Sequence, residues 1–169
     1  MVDFVMLIGI PGSGKSTWAR QYVNAMKQKY PWRDFVIMSS DEIRKELWGT
    51  DTDQRDPASV FRLLNDRTFH ALASHKSVVY DATNCTKRDR KSILELLPET
   101  DGTDDYIEKI AVVFLPDVEK CNKQDKMRDR QVGPDVIGRY AKKFAMPTKD
   151  EGFDAIYIVK DGYGTEQIV

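Results

Sequence analysis

The sequence predicts a three-layer α/β/α fold in which helices cover both faces of a parallel sheet of about five strands. Three observations point to it: short apolar segments alternate with helical patterns, these segments are apolar along most of their length, and a glycine-rich turn joins the first strand to the first helix. The chain has 169 residues, of which 41% are hydrophobic and 31% charged, as in ordinary globular proteins. We therefore expect a single domain over residues 1–169.

Each predicted strand is a short run of apolar and β-branched residues. The strands are expected at Phe4–Gly9, Phe35–Ser39, Ser77–Asp81, Ile110–Leu115 and Ala155–Val159. Helical periodicity predicts helices at Ser16–Tyr30, Asp41–Trp48, Val60–Ser74, Lys87–Leu97, Asp117–Met127 and Pro134–Phe144. The acidic, turn-rich segments Thr50–Pro57 and Glu99–Tyr106 are expected to be loops. Ligands of open α/β sheets bind at the carboxyl ends of the strands, so polar residues there are the candidate site.

The turn after the first strand carries a phosphate-binding motif. Residues 9–16, GIPGSGKS, match the pattern G-x-x-x-x-G-K-[ST] at every position. Glycines let backbone N–H groups turn toward a phosphate, and the following helix adds its positive N-terminal end. We expect Lys15 to reach the β- and γ-phosphates of a nucleoside triphosphate and the Ser16 hydroxyl to hold Mg²⁺. The predicted phosphate contacts are Gly9, Pro11, Gly12, Ser13, Gly14, Lys15, Ser16 and Thr17.

The residues after the second strand have two interpretations. Ser39 and Glu42 have the spacing of a capping box, and Asp41 favours the start of a helix electrostatically. Alternatively, Asp41 points toward the phosphate loop and accepts the proton of an attacking hydroxyl. Arg44 lies one helical turn after Asp41, where it would bind an acceptor phosphate or pair with Asp41.

The third strand ends in Asp81, which has the form of a Mg²⁺-associated carboxylate. The alternative is a strand-terminating turn, since Asp and Asn are common there. No acidic residue directly follows Asp81, which favours transfer to an acceptor over transfer to water. Asp81 and Asn84 are predicted to contact the substrate, and Asp81 also the metal. Arg88 is also predicted to contact the substrate, because the basic segment 87–91 favours a phosphorylated acceptor.

The segment from about residue 120 to 143 is expected to form a helical lid. It holds eight basic residues against three acidic ones, and Arg128 and Arg130 precede a flexible Gly133-Pro134 stop. A mobile lid would bring an arginine onto the transferring phosphates and exclude water, although charge-rich helices are also typical of solvated surfaces. The spacing does not distinguish Arg128 from Arg130.

Composition and spacing argue against several other classes. The net charge of −1 gives no chain-wide polyanion signature, and two cysteines without metal spacing indicate a reducing compartment. No apolar run reaches membrane-spanning length and the N-terminus enters a strand, so a cytoplasmic protein without a membrane partner is expected. Residues 122–125, NKQD, match a guanine-reading motif of GTPases, yet they fall inside a predicted helix and no D-x-x-G precedes them.

Together these motifs resemble the P-loop polynucleotide 5′-hydroxyl kinases, which include the phage enzyme and the kinase module of bacterial RNA-repair end-healing enzymes. The resemblance rests on residues 9–20, on Ser39-Ser40-Asp41 with Arg44, and on the segments VYDATN (79–84), DRQV (129–132) and EGFD (151–154). It spans Phe4 to about Val159. The phosphate loop is shared with many enzymes, whereas the combination is more specific.

The resemblance implies an adenylate-kinase-like P-loop fold, with ATP as donor, Mg²⁺ as cofactor and a DNA or RNA 5′-OH end as acceptor. Asp41 would be the general base for the 5′-OH, and Arg44 would bind the first internucleotide phosphate. Arg128 or Arg130 would contact the donor phosphates. Since the phosphatase and ligase partners of the repair enzymes are missing, a stand-alone kinase is expected.

Two other functions stay open. A P-loop kinase of a small molecule, with a nucleoside, sugar or nucleotide-sugar hydroxyl as acceptor, would use the same Asp41 and lid. The near-neutral charge favours this alternative, because a long polyanion footprint needs many cations. A non-catalytic nucleotide-binding module is the third possibility. The chain also departs from the family pattern, since Gln124-Asp125 stands where the lid helix usually carries R-N.

Overall fold

The computed structural model describes residues 1–51, 55–97, 106–127, 131–160 and 164–169. The strands are β1 (Val2–Ile8), β2 (Phe35–Ser39), β3 (Ser77–Asp81), β4 (Ile107–Val113), β5 (Ala155–Val159) and β6 (Thr165–Gln167). The α-helices are α1 (Lys15–Lys29), α2 (Ser40–Trp48), α3 (Pro57–Ala73), α4 (Lys87–Leu94), α5 (Val118–Lys126) and α6 (Pro134–Lys143), and a 3₁₀ turn, Lys149–Glu151, precedes β5. None of the helices in these ranges has both the length and the apolar character needed to cross a bilayer.

The strands form one sheet in the order β2-β3-β1-β4-β5-β6. Strands β1 to β5 pair parallel with one another, which confirms the predicted parallel sheet of five strands. The sequence pattern does not predict β6, which pairs antiparallel with β5, because its three residues are exposed and lack an apolar run. Ser39 pairs in register with Asp81, so the segments that follow β2 and β3 begin side by side.

All seven residues of β1 are buried, and alternate side chains of the strand lie on opposite faces of the sheet. Phe4, Met6 and Ile8 belong to a core cluster shared with α2, α3 and α4. Val5 and Leu7 belong to a second cluster, on the opposite face, that is shared with α1. This alternation follows from the period of two along a strand, and it confirms the three-layer arrangement.

Two helix boundaries differ from the prediction by three residues, and the others agree within one residue. Helix α3 begins at Pro57, inside the segment predicted as a loop, because the Asp56 carboxylate accepts a hydrogen bond from the Ser59 N–H at 3.0 Å and proline suits the first helical position. Helix α4 ends at Leu94 rather than Leu97. Its start has a capping box between Thr86 and Asp89, which fixes the direction in which the chain leaves the turn after β3.

A fully buried arginine, Arg90, connects the elements behind the candidate site. Its guanidinium binds both carboxylate oxygens of Glu151 at 2.8 Å. The same group donates to the carbonyl oxygens of Asn84 at 3.1 Å and Ala145 at 2.9 Å. Arg90 thereby ties the turn after β3, the segment after α6 and the 3₁₀ turn to one helix.

Candidate active site

A cleft of about 720 Å³ lies at the carboxyl ends of β1, β2 and β3. It brings together residues that the sequence singles out in three separate segments. Those that line it are Pro11, Gly12, Gly14, Lys15, Ser16, Asp41, Arg44, Asp81 and Asn84. Gly9, Ser13 and Thr17 belong to the same loop and helix start but do not line the cleft wall. The parallel topology therefore produces the convergence that strand ends predict.

The phosphate loop has the backbone geometry that its glycines allow. Gly12 has a φ of +80°, and a Cβ added there would lie 2.7 Å from the carbonyl oxygen of Cys121. Gly14, with a φ of +91°, is the N-cap residue of α1 and offers no side chain to its first N–H groups. These N–H groups at the start of α1 are consequently available to an anion in the cleft.

Lys15 is buried at the base of the cleft. Its ammonium group donates to the Ile10 carbonyl oxygen at 2.9 Å and to Ser13 Oγ at 3.3 Å. Burial lowers the pKa of Lys15, and the negative charge of Asp81 opposes that shift. An anionic phosphate in the cleft would act in the same direction as Asp81 and favour the charged form of Lys15.

Ser16 and Asp81 form an oxygen pair that suits a divalent cation. The Ser16 hydroxyl hydrogen-bonds to the Asp81 carboxyl group, whose pKa is raised by burial while this bond and Lys15 act to lower it. Among the described residues there is no group of three or more His, Cys, Asp or Glu side chains placed to hold a metal. One carboxylate and one hydroxyl fit Mg²⁺, which takes oxygen ligands and completes its shell with phosphates and water.

Asp41 and Arg44 form an ion pair at the opposite wall. Arg44 Nη1 donates to Asp41 Oδ1 at 2.8 Å, and the Asp41 side chain is 61% exposed whereas that of Arg44 is 10% exposed. The capping-box interpretation is wrong, because Ser39 at the N-cap makes no side-chain cap hydrogen bond. Asp41 nevertheless lies close enough to Lys15 for its charge to oppose, together with that of Asp81, the lowering of the Lys15 pKa by burial.

Arg44 also carries an unsatisfied donor. Its Nε atom is buried and has no hydrogen-bond partner among the described residues. A buried unpaired donor costs about 1–3 kcal/mol, and more when the group is charged. The guanidinium thus lies in the cleft with one edge bound to Asp41 and another donor unused.

Asn84 and Arg88 are placed differently from the rest. Asn84 has a φ of +48°, and its side-chain amide donates to the Leu7 carbonyl oxygen at 2.7 Å, so its N–H groups hold the backbone although the residue lines the cleft. Arg88 is exposed on α4 and is not among the cleft residues. Two of its basic neighbours form ion pairs on the surface, Lys87 with Asp150 and Lys91 with Glu95.

The described part of the predicted lid consists of α5 and α6, and Arg128 and Arg130 lie outside the described residues. Asp125, which completes the NKQD sequence, is buried in α5. Its carboxylate accepts hydrogen bonds from the N–H groups of Val132 at 3.1 Å and Gly133 at 3.0 Å. Asp125 therefore anchors the start of α6 and is not free to bind a base.

Sequence reasoning missed one wall of the cleft, which α6 supplies. The α6 residues that line it are Val136, Arg139, Tyr140 and Lys143. Their spacing of three and four residues places them on one side of a helix, and this periodicity is the signal that would have found them. Ile137 is fully buried with Ile10 and Cys85, which fixes the rotation of α6 about its axis.

Comparison with known proteins agrees with this architecture. A family model described as "AAA domain" matches residues 4–147 of the chain. No curated protein sequence matches this chain. A chain in the structure of the Pnkp1/Rnl/Hen1 RNA repair complex superposes with a TM-score of 0.65 at 19% identity, covering 84% of this chain and 43% of that one. The chain therefore spans less than half the length of that RNA repair protein.

Two further structures have the same fold. A fungal RNA kinase gives a TM-score of 0.64 at 17% identity, covering 95% of this chain and 75% of the kinase. A gluconokinase from Sinorhizobium meliloti 1021 gives 0.56 at 15% identity, covering 93% and 81% respectively. At these identities the similarities establish the fold alone, and they agree with the three-layer α/β/α arrangement of the chain.

Proposed function

Because the chain belongs to the AAA domain family and has the fold of P-loop kinases, we propose that it is an ATP-dependent kinase acting on the 5′-OH end of a polynucleotide. The observation that carries this proposal is the Asp41–Arg44 pair, which faces the phosphate loop across one cleft. It joins a carboxylate suited to a hydroxyl acceptor with a cation suited to a phosphate on the same acceptor.

The donor half of the site is the phosphate loop with Lys15. The N–H groups at the start of α1 and the Lys15 ammonium bind the β- and γ-phosphates of ATP and keep them aligned for in-line attack. Mg²⁺ held by the Ser16 hydroxyl and the Asp81 carboxylate would neutralise charge on these phosphates when bound. Residues of the lid exclude water from the transfer.

The acceptor half begins with Asp41. Its carboxylate is exposed to the cleft and carries a hydrogen bond from Arg44 that fixes its orientation. Asp41 accepts a hydrogen bond from the acceptor hydroxyl and takes its proton as the new P–O bond forms and the bond to ADP breaks.

Arg44 supports a phosphorylated acceptor. The Arg44 guanidinium lines the cleft, where its positive charge would bind a phosphate oxygen of the acceptor, whereas an acceptor without phosphate would make no use of this cation. In a polynucleotide, the first internucleotide phosphate follows the reacting 5′-OH by one sugar. A single arginine next to the carboxylate of Asp41 therefore suits a 5′-OH nucleotide end better than a free nucleoside or sugar.

A second candidate is a kinase of small hydroxyl compounds, which the fold of the gluconokinase supports. The test is transfer of labelled γ-phosphate from ATP to a panel of 5′-OH DNA and RNA oligonucleotides, nucleoside 3′-phosphates, nucleosides and gluconate. We expect labelled oligonucleotides and no product with acceptors that lack phosphate. Labelled nucleosides or gluconate together with untouched oligonucleotides would overturn the proposal in favour of the second candidate.

Replacing Arg44 with lysine should lower kcat/KM for a 5′-OH oligonucleotide about tenfold to a hundredfold, because lysine keeps the charge but loses the second donor edge. ATP affinity should stay within about twofold, since Arg44 serves the acceptor. Steady-state kinetics with each substrate varied separately measures both values. The matched control is Arg62→Lys, an exposed arginine of α3 outside the cleft, and equal losses in the two variants would contradict this role.

A further inference from the structure

We propose that α6 binds the phosphodiester backbone of the acceptor beyond its first internucleotide phosphate. The surface is the α6 cleft face, which consists of Val136, Arg139, Tyr140 and Lys143. The inference rests on the proposed function and makes Arg139 and Lys143 the residues that distinguish a polynucleotide from a single nucleotide. It concerns the part of the cleft that the Asp41–Arg44 pair does not occupy.

The charges of the cleft lining carry this inference. Its carboxylates have partners other than the α6 cations: Asp41 forms an ion pair with Arg44, Asp81 and Asp89 accept hydrogen bonds from the neutral groups of Ser16 and Thr86, and Asp51 is engaged elsewhere. Arg139 and Lys143, in contrast, make no hydrogen bond or ion pair with any described residue, and both are exposed. Two cations in this cleft that no described residue pairs would attract further anions.

The C-terminal end of α6 lies toward the acceptor side of the cleft, while Ile137 earlier in the helix packs against Ile10 of the phosphate loop. The Ala145 N–H, just after α6, donates to the Cys85 carbonyl oxygen at 2.8 Å, so Lys143 lies beside the turn that follows β3. Strand β3 pairs with β2, whose end leads directly to Asp41 and Arg44. The phosphate loop follows β1, on the other side of β3. An acceptor that leaves Arg44 along this wall passes Arg139 and Lys143.

The spacing of the two cations suits a chain of phosphates. Arg139 and Lys143 are four residues apart, which corresponds to about 6 Å along the helix axis. Successive phosphates of one strand would give each of these cations a phosphate of its own. Val136 and Tyr140 provide apolar surface between and beside them, as grooves for single strands commonly do.

The test compares acceptors of different length with the double variant Arg139→Gln/Lys143→Gln. For a 5′-OH ten-nucleotide single strand, kcat/KM should fall about tenfold or more, because two phosphate contacts are lost. For a nucleoside 3′-phosphate it should stay within about twofold. The slope of log affinity against log salt for the ten-mer, measured by fluorescence anisotropy, should decrease by about 1.4.

The control carries the same charge change on exposed residues outside the cleft, Lys142→Gln/Lys149→Gln, and should leave every value unchanged. If the double variant lost kcat/KM equally with both acceptors, or lost none with the ten-mer, the inference would be overturned. The proposed function would still stand if the unaltered protein phosphorylates oligonucleotides. If the unaltered protein phosphorylates no oligonucleotide, the proposed function fails. Fluorescence anisotropy then tests the α6 surface on its own. Binding of the ten-mer that is weakened in the double variant would support the surface, and binding that does not depend on Arg139 and Lys143, or no binding at all, would overturn it.

Discussion

Replacing Asp41 with asparagine should reduce phosphoryl transfer to a 5′-OH oligonucleotide by about 10²- to 10⁴-fold, the usual contribution of a general base. Asparagine has the same shape and still accepts the hydrogen bond from Arg44, but it cannot take a proton. The side chain is 61% exposed, so the fold should be retained. Single-turnover rates with saturating ATP and acceptor report the chemical step directly.

The control for Asp41 is its neighbour Glu42, which is exposed on α2 and does not line the cleft. Glu42→Gln removes the same charge from the same helix turn and should change the rate less than twofold. ATP affinity, measured by calorimetry, should be unaltered in both variants. A full rate in Asp41→Asn would contradict the role of general base. Bound ATP without transfer to any acceptor in the unaltered protein would instead favour a non-catalytic nucleotide-binding module.

The parts of the fold that local pattern determines were predictable. The apolar runs of β1 to β5 and the glycines before Lys15 carry their own signals, and parallel topology then brings strand ends together. Strand β6 has no such signal, because the exposed residues Thr165–Gln167 form a strand only through their bonds to β5. The start of α3 could have been predicted from the sequence, since Asp56 is a capping residue and Pro57 a first-turn proline.

Site residues were harder to predict where their partners lie far along the chain. Within the basic segment 87–91, sequence alone does not identify Arg90 as the buried member, because its partner Glu151 is 61 residues away. Its helix face gives a partial signal, since Ile93 and Leu94 follow at three and four residues and are buried too. Asn84 is typical of a turn, yet its amide binds the Leu7 carbonyl 77 residues earlier.

Replacing Arg90 with methionine should lower the free energy of unfolding by about 3–5 kcal/mol, the usual cost of removing one partner from a buried ion pair. Glu151 would keep a carboxylate that is only 4% exposed and has lost both bonds to the guanidinium. The carbonyl groups of Asn84 and Ala145 would lose a donor as well. Urea unfolding followed by circular dichroism measures the change, and Tm should fall by roughly 6–20 °C.

The chain offers a matched control, because Arg67 binds both carboxylate oxygens of Glu46 at 2.7 Å with side chains that are 40% and 55% exposed. Arg67→Met removes the same kind of pair in water, where attraction and solvation nearly cancel, so its Tm should change far less. The double variant Arg90→Met/Glu151→Met should recover much of the loss, since no buried charge remains unpaired. Equal Tm shifts for Arg90→Met and Arg67→Met would mean that burial of the pair does not govern its contribution. The turn after β3 and the end of α6 would then be held in place by apolar contacts rather than by this guanidinium.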